Sequence, residues 1–478
     1  TSCRCDAMTR RVHGLETEYG LVVRQATRQG WRRVGNDEAA RLLFSPVVEQ
    51  NATTSVFLRN GGRMYLDVGS HPEYATAECD RLDDLVAQDA AGDQIFASLA
   101  RRAIEASDQP LRVSLFKNNV DSHGNAWGSH ENYQVPREID LATWEALTPF
   151  LVTRSLVTGA GRWTPDGYQL SQRADHLWDP LSSTTTRTRP MINTRDEPHA
   201  DPQRFRRLHV IAGDSNLSQT TVLLRFGMTG LVLAAIEDGQ DFADVALADP
   251  QASVRRASRD VRGRARLELA RGGDACSLQI QRAIHDRVGH YVEGDSDLAR
   301  AHDLWGRALD AVDDDHLDRI DRWVDWAIKK RVLDGLAARG AGPEKLAAAD
   351  LAHHDIVEGI FARLDAAGQV DRIVDQAAVT SAVENAPLTT RATLRSRFLT
   401  AAQRHQRAHG VDWMTFTCHD LADGVVICPD PLTSVDARVD ALCERMASEP
   451  RRPGSTAFRR QEDPVARPSA AAGAPEAG

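Results

Sequence analysis

Between Arg63 and Val68 the side chains alternate, with Arg63, Tyr65 and Asp67 on one parity and Met64, Leu66 and Val68 on the other. Successive side chains of an extended chain project to opposite faces, so this pattern predicts a strand with one apolar and one polar face. Residues 13–23 repeat the pattern: Leu15, Tyr19, Leu21 and Val23 share one face, and Glu16 and Glu18 the other. Asn60-Gly61-Gly62 lies between Val56-Phe57-Leu58-Arg59 and the strand from Arg63, which predicts a β-hairpin. Further strands are predicted near 113–117, 125–135, 189–194 and 208–212. Helical patterning predicts a short helix at 37–44, a long one at 82–106, another at 220–237, and a mostly helical stretch over 275–365. A helix over 149–157 would have Thr148 as its cap and Pro149 in the first turn. Past residue 400 the chain changes to short strands (Val411-Asp412-Trp413, Val425-Val426-Ile427) and a last helix over 434–446. Hairpins followed by helices predict an α+β fold with a largely antiparallel sheet. The expected organisation is a leader over 1–8, a main domain over 9–400, a small C-terminal domain over 401–448 and a disordered tail over 449–478.

The 478 residues are 42% apolar, enough for a sizeable core. A net charge of -10 argues against a general nucleic-acid binder. The seven cysteines (Cys3, Cys5, Cys79, Cys276, Cys418, Cys428, Cys443) show no paired metal-ligand spacing, so reduced thiols are expected. No signal peptide and no apolar run long enough for a bilayer stand out, and a soluble, cytoplasmic protein is expected. P-loop, dinucleotide-binding, zinc-protease and serine-hydrolase signatures are absent.

The candidate chemistry lies on the polar faces. Glu16 and Glu18 would sit about 7 Å apart on one strand face, a spacing that suits hard cations. The Gly69-Ser70-His71-Pro72 turn can carry Glu73 back beside them, with Asp67 at the turn's start. Three or four convergent carboxylates repel one another unless a cation neutralises them, so a magnesium site shared with ATP phosphates is the simplest reading. A second polar cluster runs over 193–201 and 204–216, rich in arginine, whose planar fork suits phosphate. Within it His209 reads either as a metal ligand or as a satisfied core histidine. Lys117-Asn118-Asn119 and Ser129-His130-Glu131-Asn132-Tyr133 add polar strand segments. Trp413 suits either an adenine stack or a core anchor.

Gly14-Leu15-Glu16-Thr17-Glu18-Tyr19-Gly20, Phe57-Leu58-Arg59-Asn60-Gly61, the run from Tyr65 to Cys79, Leu115-Phe116-Lys117-Asn118-Asn119, and the segments 193–200 and 206–216 resemble the Pup ligases. The resemblance extends over about residues 9–446. It implies a glutamine-synthetase-like curved antiparallel sheet backed by helices, with ATP and magnesium (Mg2+) on its concave face and a small C-terminal domain. It implies that the C-terminal glutamate of the prokaryotic ubiquitin-like protein Pup is phosphorylated and joined to lysines of target proteins, marking them for proteasomal degradation. By motif, Glu16, Tyr65 and Glu73 are the implied magnesium positions, Arg63, Thr76 and Trp413 the ATP contacts, and Asp67 the proton acceptor. Glu18 and His209 join the metal set from the strand pattern and from similarity to the synthetase carboxylates and histidines. The alternative is the sister Pup deamidase/depupylase. That enzyme carries a long insertion after its first carboxylate motif, where this chain runs from Gly20 to Phe57 without one. Ser129 departs from the ligase pattern, which has Cys before His-Glu-Asn-Tyr.

Overall fold

The computed structural model describes residues 10–51, 53–67, 69–121, 123–183 and 189–450. The expected leader, and the expected tail beyond residue 450, lie outside them. An eight-stranded sheet organises the chain. Its spatial order is Asp179–Ser182, Pro190–Asn193, Phe205–Val210, Ser129–Pro136, His13–Glu18, Pro72–Ala75, Arg63–Leu66, Val56–Phe57. Every pairing is antiparallel except that of Asp179–Ser182 with Pro190–Asn193 at one edge, which is parallel, in keeping with the largely antiparallel sheet expected. The hairpin forms as its sequence predicts: Val56 pairs with Met64 and Phe57 with Arg63. Gly61 at φ 83° supplies the left-handed residue of its turn.

The strand expected over 13–23 breaks after Glu18. His13–Glu18 stays in the large sheet, and Gly20–Thr27 joins a three-stranded sheet with Gly30–Arg33 and Leu111–Phe116. The break sits where Tyr19 donates its N–H to the Pro72 carbonyl and Trp127 crosses Gly20, whose missing Cβ would lie 3.0 Å from the indole. The helix at Leu82–Glu105 matches its predicted bounds closely, and its buried Leu85, Ile95 and Phe96 face the sheet. The helix expected to start with a Thr148 cap begins differently. A 3-10 segment, Leu141–Leu147, runs into it behind the Asp140 side chain, and Thr148 is itself helical.

The Gln219–Glu237 helix corrects a second expectation. It is long and apolar enough to cross a bilayer, but it lies in the protein core, with Val222, Leu224, Phe226, Leu231 and Val232 all buried. Its apolarity on all sides is that of a helix enclosed by protein. Past residue 390 a separate core forms from Leu394, Phe398, Phe416, Val439 and Leu442. It joins the Arg391–Arg404 helix, the His409–Val411, Thr415–Cys418 and Val425–Ile427 sheet, and the Ala437–Ser448 helix. Among the described residues Cys79, Cys276, Cys418, Cys428 and Cys443 are free thiols.

Buried charges join these layers. Glu131, fully enclosed, accepts from Arg154 at 2.5 and 2.9 Å and from the Tyr133 hydroxyl at 2.6 Å, with Arg225 at 2.9 Å. Burial opposes its charge, but the two guanidinium groups outweigh that and hold its pKa down to about 2. Glu131→Gln would leave two guanidinium groups in the core without their counter-charge. We expect it to cost about 3–5 kcal/mol of stability, measured as a fall in melting temperature or denaturant midpoint. Glu78 plays the same part at the C-terminal unit, accepting from Arg391 and Arg395, and its pKa is also held down to about 2 against burial.

These shifts set the direction of the pH response. Carboxylates lowered from 4.5 to about 2 contribute stability that is present above pH 4.5 and lost as pH falls toward 2. Buried His13, its pKa pushed down by burial and then by Arg11 from 6.5 to about 3, contributes stability present above pH 6.5 and lost as pH falls toward 3. Melting temperature is expected to fall from pH 6.5 downward and more steeply below 4.5. Thermal melts at constant ionic strength check this, and a flat profile down to pH 4 would contradict it.

Candidate active site

Strand register gathers the site. Glu18 stands opposite Glu73, Tyr65 opposite Glu73, and Glu16 opposite both Ala75 and His130. His209 stands opposite Asn132 on one side and Asn193 on the other. Directly paired residues share a face, so Glu16, Glu18, Tyr65, Glu73, His130, Asn132 and His209 all project from one side of the sheet. The other parity (Leu15, Met64, Tyr74, Tyr133, Leu208) is buried in the cores.

On the polar face potential ligand atoms form two triads, each with its atoms within 4.8 Å of one another: Glu16, His130 and His209, and Glu18, Asp67 and Glu73. In the first, His130 Nδ1 lies 3.3 Å from Glu16 Oε2, and Asn132 Nδ2 donates to Glu16 Oε1 at 3.1 Å. His209 Nε2 is 3.8 Å from Glu16 Oε2, and Arg207 Nη1 is 3.5 Å from Glu16 Oε1. Burial opposes the Glu16 charge, but the His130 hydrogen bond and the neighbouring positive groups outweigh it and hold the carboxyl below its usual range. Burial pushes the His209 pKa down to about 3, so its imidazole is neutral at pH 7. His209 Nε2 is buried without a hydrogen-bond partner among the described residues. In the second triad, Gly128 N–H donates to Glu18 Oε1 at 2.9 Å and the Tyr65 hydroxyl donates to Glu73 Oε1 at 2.5 Å. Burial, then the charges of Glu16 and Glu18, push the Glu73 carboxyl far above its ordinary pKa.

Asp67 heads the turn to the next strand. Its N–H donates to the His71 carbonyl at 2.9 Å and its carbonyl accepts from Ser70 at 3.1 Å, with Gly69 and Ser70 both at positive φ. Its side chain is exposed at the open end of the second triad.

Beside the first triad an open cavity of about 630 Å³ is lined by Gly14, Glu16, Thr76, Asn132, Arg207 and Trp413, among others. Thr76 Oγ1 accepts from Leu15 N–H at 3.0 Å. Trp413 lies in the turn between two short C-terminal strands, not within one as the sequence suggests. Arg395 over its ring and Phe57 against it, each at 5.0 Å, hold it. Arg63 shares the sheet face but not this cavity's lining; its guanidinium donates to Ser55 Oγ and lies 4.8 Å over the Tyr65 ring. A larger groove, about 1530 Å³, reaches the Asp67 turn at Gly69 and His71 and is lined further on by Trp127, Trp178, Arg33 and Arg189.

Every residue singled out for the site therefore lies on this face or at its rim. Sequence reasoning did not assign His130, Asn132 or Arg207 a place in it. His130 and Asn132 alternate along a recognised polar strand, and the missing information was that this strand pairs with the one carrying Glu16.

The model of the family described as Pup-ligase protein matches residues 11–417. The Pup–protein ligase of Actinosynnema mirum is 47% identical over 451 residues, covering 91% of this chain and 99% of that protein. The Pup–protein ligase of Saccharomonospora viridis is also 47% identical, over the same shares. Among solved structures, the complex of Pup with its ligase PafA aligns at TM-score 0.86 and 40% identity, covering 93% of each chain. PafA in complex with ADP aligns at TM-score 0.78 and 42% identity, covering 94% of this chain and all of that one. This chain belongs to the Pup–protein ligase family.

Proposed function

We propose that the chain is an ATP-dependent carboxylate–amine ligase that joins the C-terminal glutamate of Pup to lysines of target proteins. The observation that carries the reading is the pair of triads on one sheet face, set beside a nucleotide-sized cavity, in a chain aligned end to end with Pup ligases. These relatives bear the name of the ligase, not of the deamidase. A cytoplasmic setting, where ATP and reduced thiols are available, fits this reading.

The donor set fits divalent cations. Glu73 cannot ionise readily beside Glu16 and Glu18 without a positive charge, and His209 presents a buried neutral nitrogen with no hydrogen-bond partner among the described residues. Glu16, His130 and His209 would hold one ion, and Glu18, Glu73 and Tyr65 another. Bound there, magnesium would neutralise phosphate charge and align the phosphoryl group for in-line transfer. Trp413 and Thr76 line the cavity as the proposed nucleotide contacts, and Arg63, stacked on Tyr65 on the same sheet face but outside the cavity's lining, is the proposed phosphate contact.

The reaction has two steps. The γ-carboxylate oxygen of Pup's last glutamate attacks the γ-phosphorus of ATP, ADP leaves, and a γ-glutamyl phosphate forms. A lysine amine then attacks the acyl carbon, phosphate leaves, and an isopeptide bond forms. Asp67 takes the proton the amine sheds. The groove lined by Gly69 and His71 of the Asp67 turn is the proposed approach for a polypeptide.

Adding excess EDTA to the protein with Pup, ATP and a lysine-bearing target should abolish conjugate formation, and excess magnesium should restore it. Conjugation that persists after chelation would contradict the metal assignment.

A further inference from the structure

Arg173 is 2% exposed, and among the described residues no carboxylate pairs with its side chain directly. A buried charge without such a partner is costly, so other bonds must hold it in place. Asp214 fixes its backbone: the carboxylate accepts from the N–H groups of Gln172 and Arg173, each at 3.1 Å, and from Ser171 Oγ at 2.9 Å. The side chain then spans two carbonyls. Nη1 donates to Trp127 at 2.5 Å and Nη2 to Ile211 at 2.9 Å, while Nε has no partner among the described residues. Burial, then Arg189, lowers its pKa to about 10, and the group stays charged at pH 7.

The peptide that Arg173 grips also serves the second triad. The carbonyl of Trp127 and the N–H of Gly128 belong to one planar trans unit and point in opposite directions. Arg173 and Asn119 Nδ2, the latter at 3.2 Å, donate to the carbonyl end, and the N–H end donates to Glu18 Oε1 at 2.9 Å. A Cβ on Gly128 would lie 2.7 Å from that oxygen and 2.1 Å from His130 Nε2, so only glycine lets the backbone come this close. Hydrogen bonds in series polarise one another, and a cation on the carbonyl strengthens the N–H as a donor. One Glu18 oxygen is thereby committed, and the other has no hydrogen-bond partner among the described residues and is left for a cation.

We propose that Arg173 is a positioning residue for the ion of the second triad: acting through the Trp127–Gly128 peptide, it holds the Glu18 carboxylate in the orientation that ligates. This rests on the reading of Glu18 and Glu73 as metal ligands. Groups that hydrogen-bond to metal ligands are commonly worth about 10–100-fold in metal affinity.

The test is the binding of Mn2+, a paramagnetic stand-in for magnesium, to the full chain without nucleotide, read by electron paramagnetic resonance. Glu18→Gln should weaken binding at one site. Arg173→Met should weaken the same site about tenfold or more. Arg173→Lys keeps the charge but lacks the planar fork that spans two carbonyls, and should weaken it only about threefold. The double variant Arg173→Met/Glu18→Gln should bind no more weakly than Glu18→Gln alone, because Arg173 acts through Glu18. Losses that multiply in the double variant would mean a general disturbance of the fold and would overturn the proposal. If Arg173→Met does not fold, the same cycle with Arg173→Lys decides. Parental binding in both Arg173 variants, with a loss in Glu18→Gln, would refute the positioning role and leave the metal site standing. If Glu18→Gln itself binds Mn2+ as the parent does, the metal reading of this triad fails and the proposal with it.

Discussion

Asp67→Asn is expected to bind magnesium–ADP within about twofold of the parent while conjugation falls about 10²–10⁴-fold, the usual contribution of a positioned general base. The substitution keeps the shape of the side chain and the backbone bonds to His71 and Ser70, which do not involve the carboxylate. It removes the carboxylate proposed as the proton acceptor. A free lysine has a pKa near 10.4, so only about one amine in 2,500 is neutral at pH 7. A carboxylate at the open end of the triad can hold the ammonium and take its proton as the acyl phosphate is attacked. The loss should therefore be larger for lysine than for hydroxylamine, a nucleophile already neutral at pH 7. An Asp67→Asn protein that conjugates at near the parental rate would remove Asp67 from this role.

Glu16→Ala should fail earlier, at the metal and nucleotide. Glu16 lies within reach of His130, His209, Asn132 and Arg207, so it links the first triad to the arginine at the cavity wall. Its removal leaves His209 without an anionic neighbour and Arg207 without one of its partners. Metal stabilisation of transferring phosphoryl charge is worth several kcal/mol, so conjugation should fall about 10²-fold or more. Unlike Asp67→Asn, this variant should also bind magnesium–ADP at least about tenfold more weakly. Isothermal titration with and without magnesium separates the two variants, and unchanged magnesium–ADP affinity would exclude Glu16 from the metal site.

Much of this was legible along the chain because β-structure writes its faces in parity. The alternation around Arg63, Tyr65 and Asp67, the Glu16 and Glu18 pair, and the Asn60-Gly61 turn are local signals, and each appears where expected. Glu73 returning beside Glu18 followed from a short turn. What could not be read was long-range pairing. His130 joins Glu16 only because Ser129–Pro136 pairs with His13–Glu18 across more than a hundred residues, and His209 joins them through the next strand. The break after Glu18 was hidden for a related reason. Parity continues through Gly20, and only the crossing Trp127 shows that two sheets meet there. In the Gln219–Glu237 helix Arg225 interrupts an otherwise span-length apolar run, and that arginine is buried against Glu131. Thr148 looked like a cap because its residue type fits one, but Asp140 had already begun the helical segment.

Ligation of Pup to protein lysines consumes one ATP per bond in the proposed reaction. The most direct measurement mixes the protein with magnesium–ATP, a lysine-bearing target, and Pup ending in either glutamate or glutamine. A Pup–target band, with one ADP per conjugate, is expected from the glutamate form alone. Conversion of the glutamine form to glutamate with neither conjugate nor net ATP loss would contradict it.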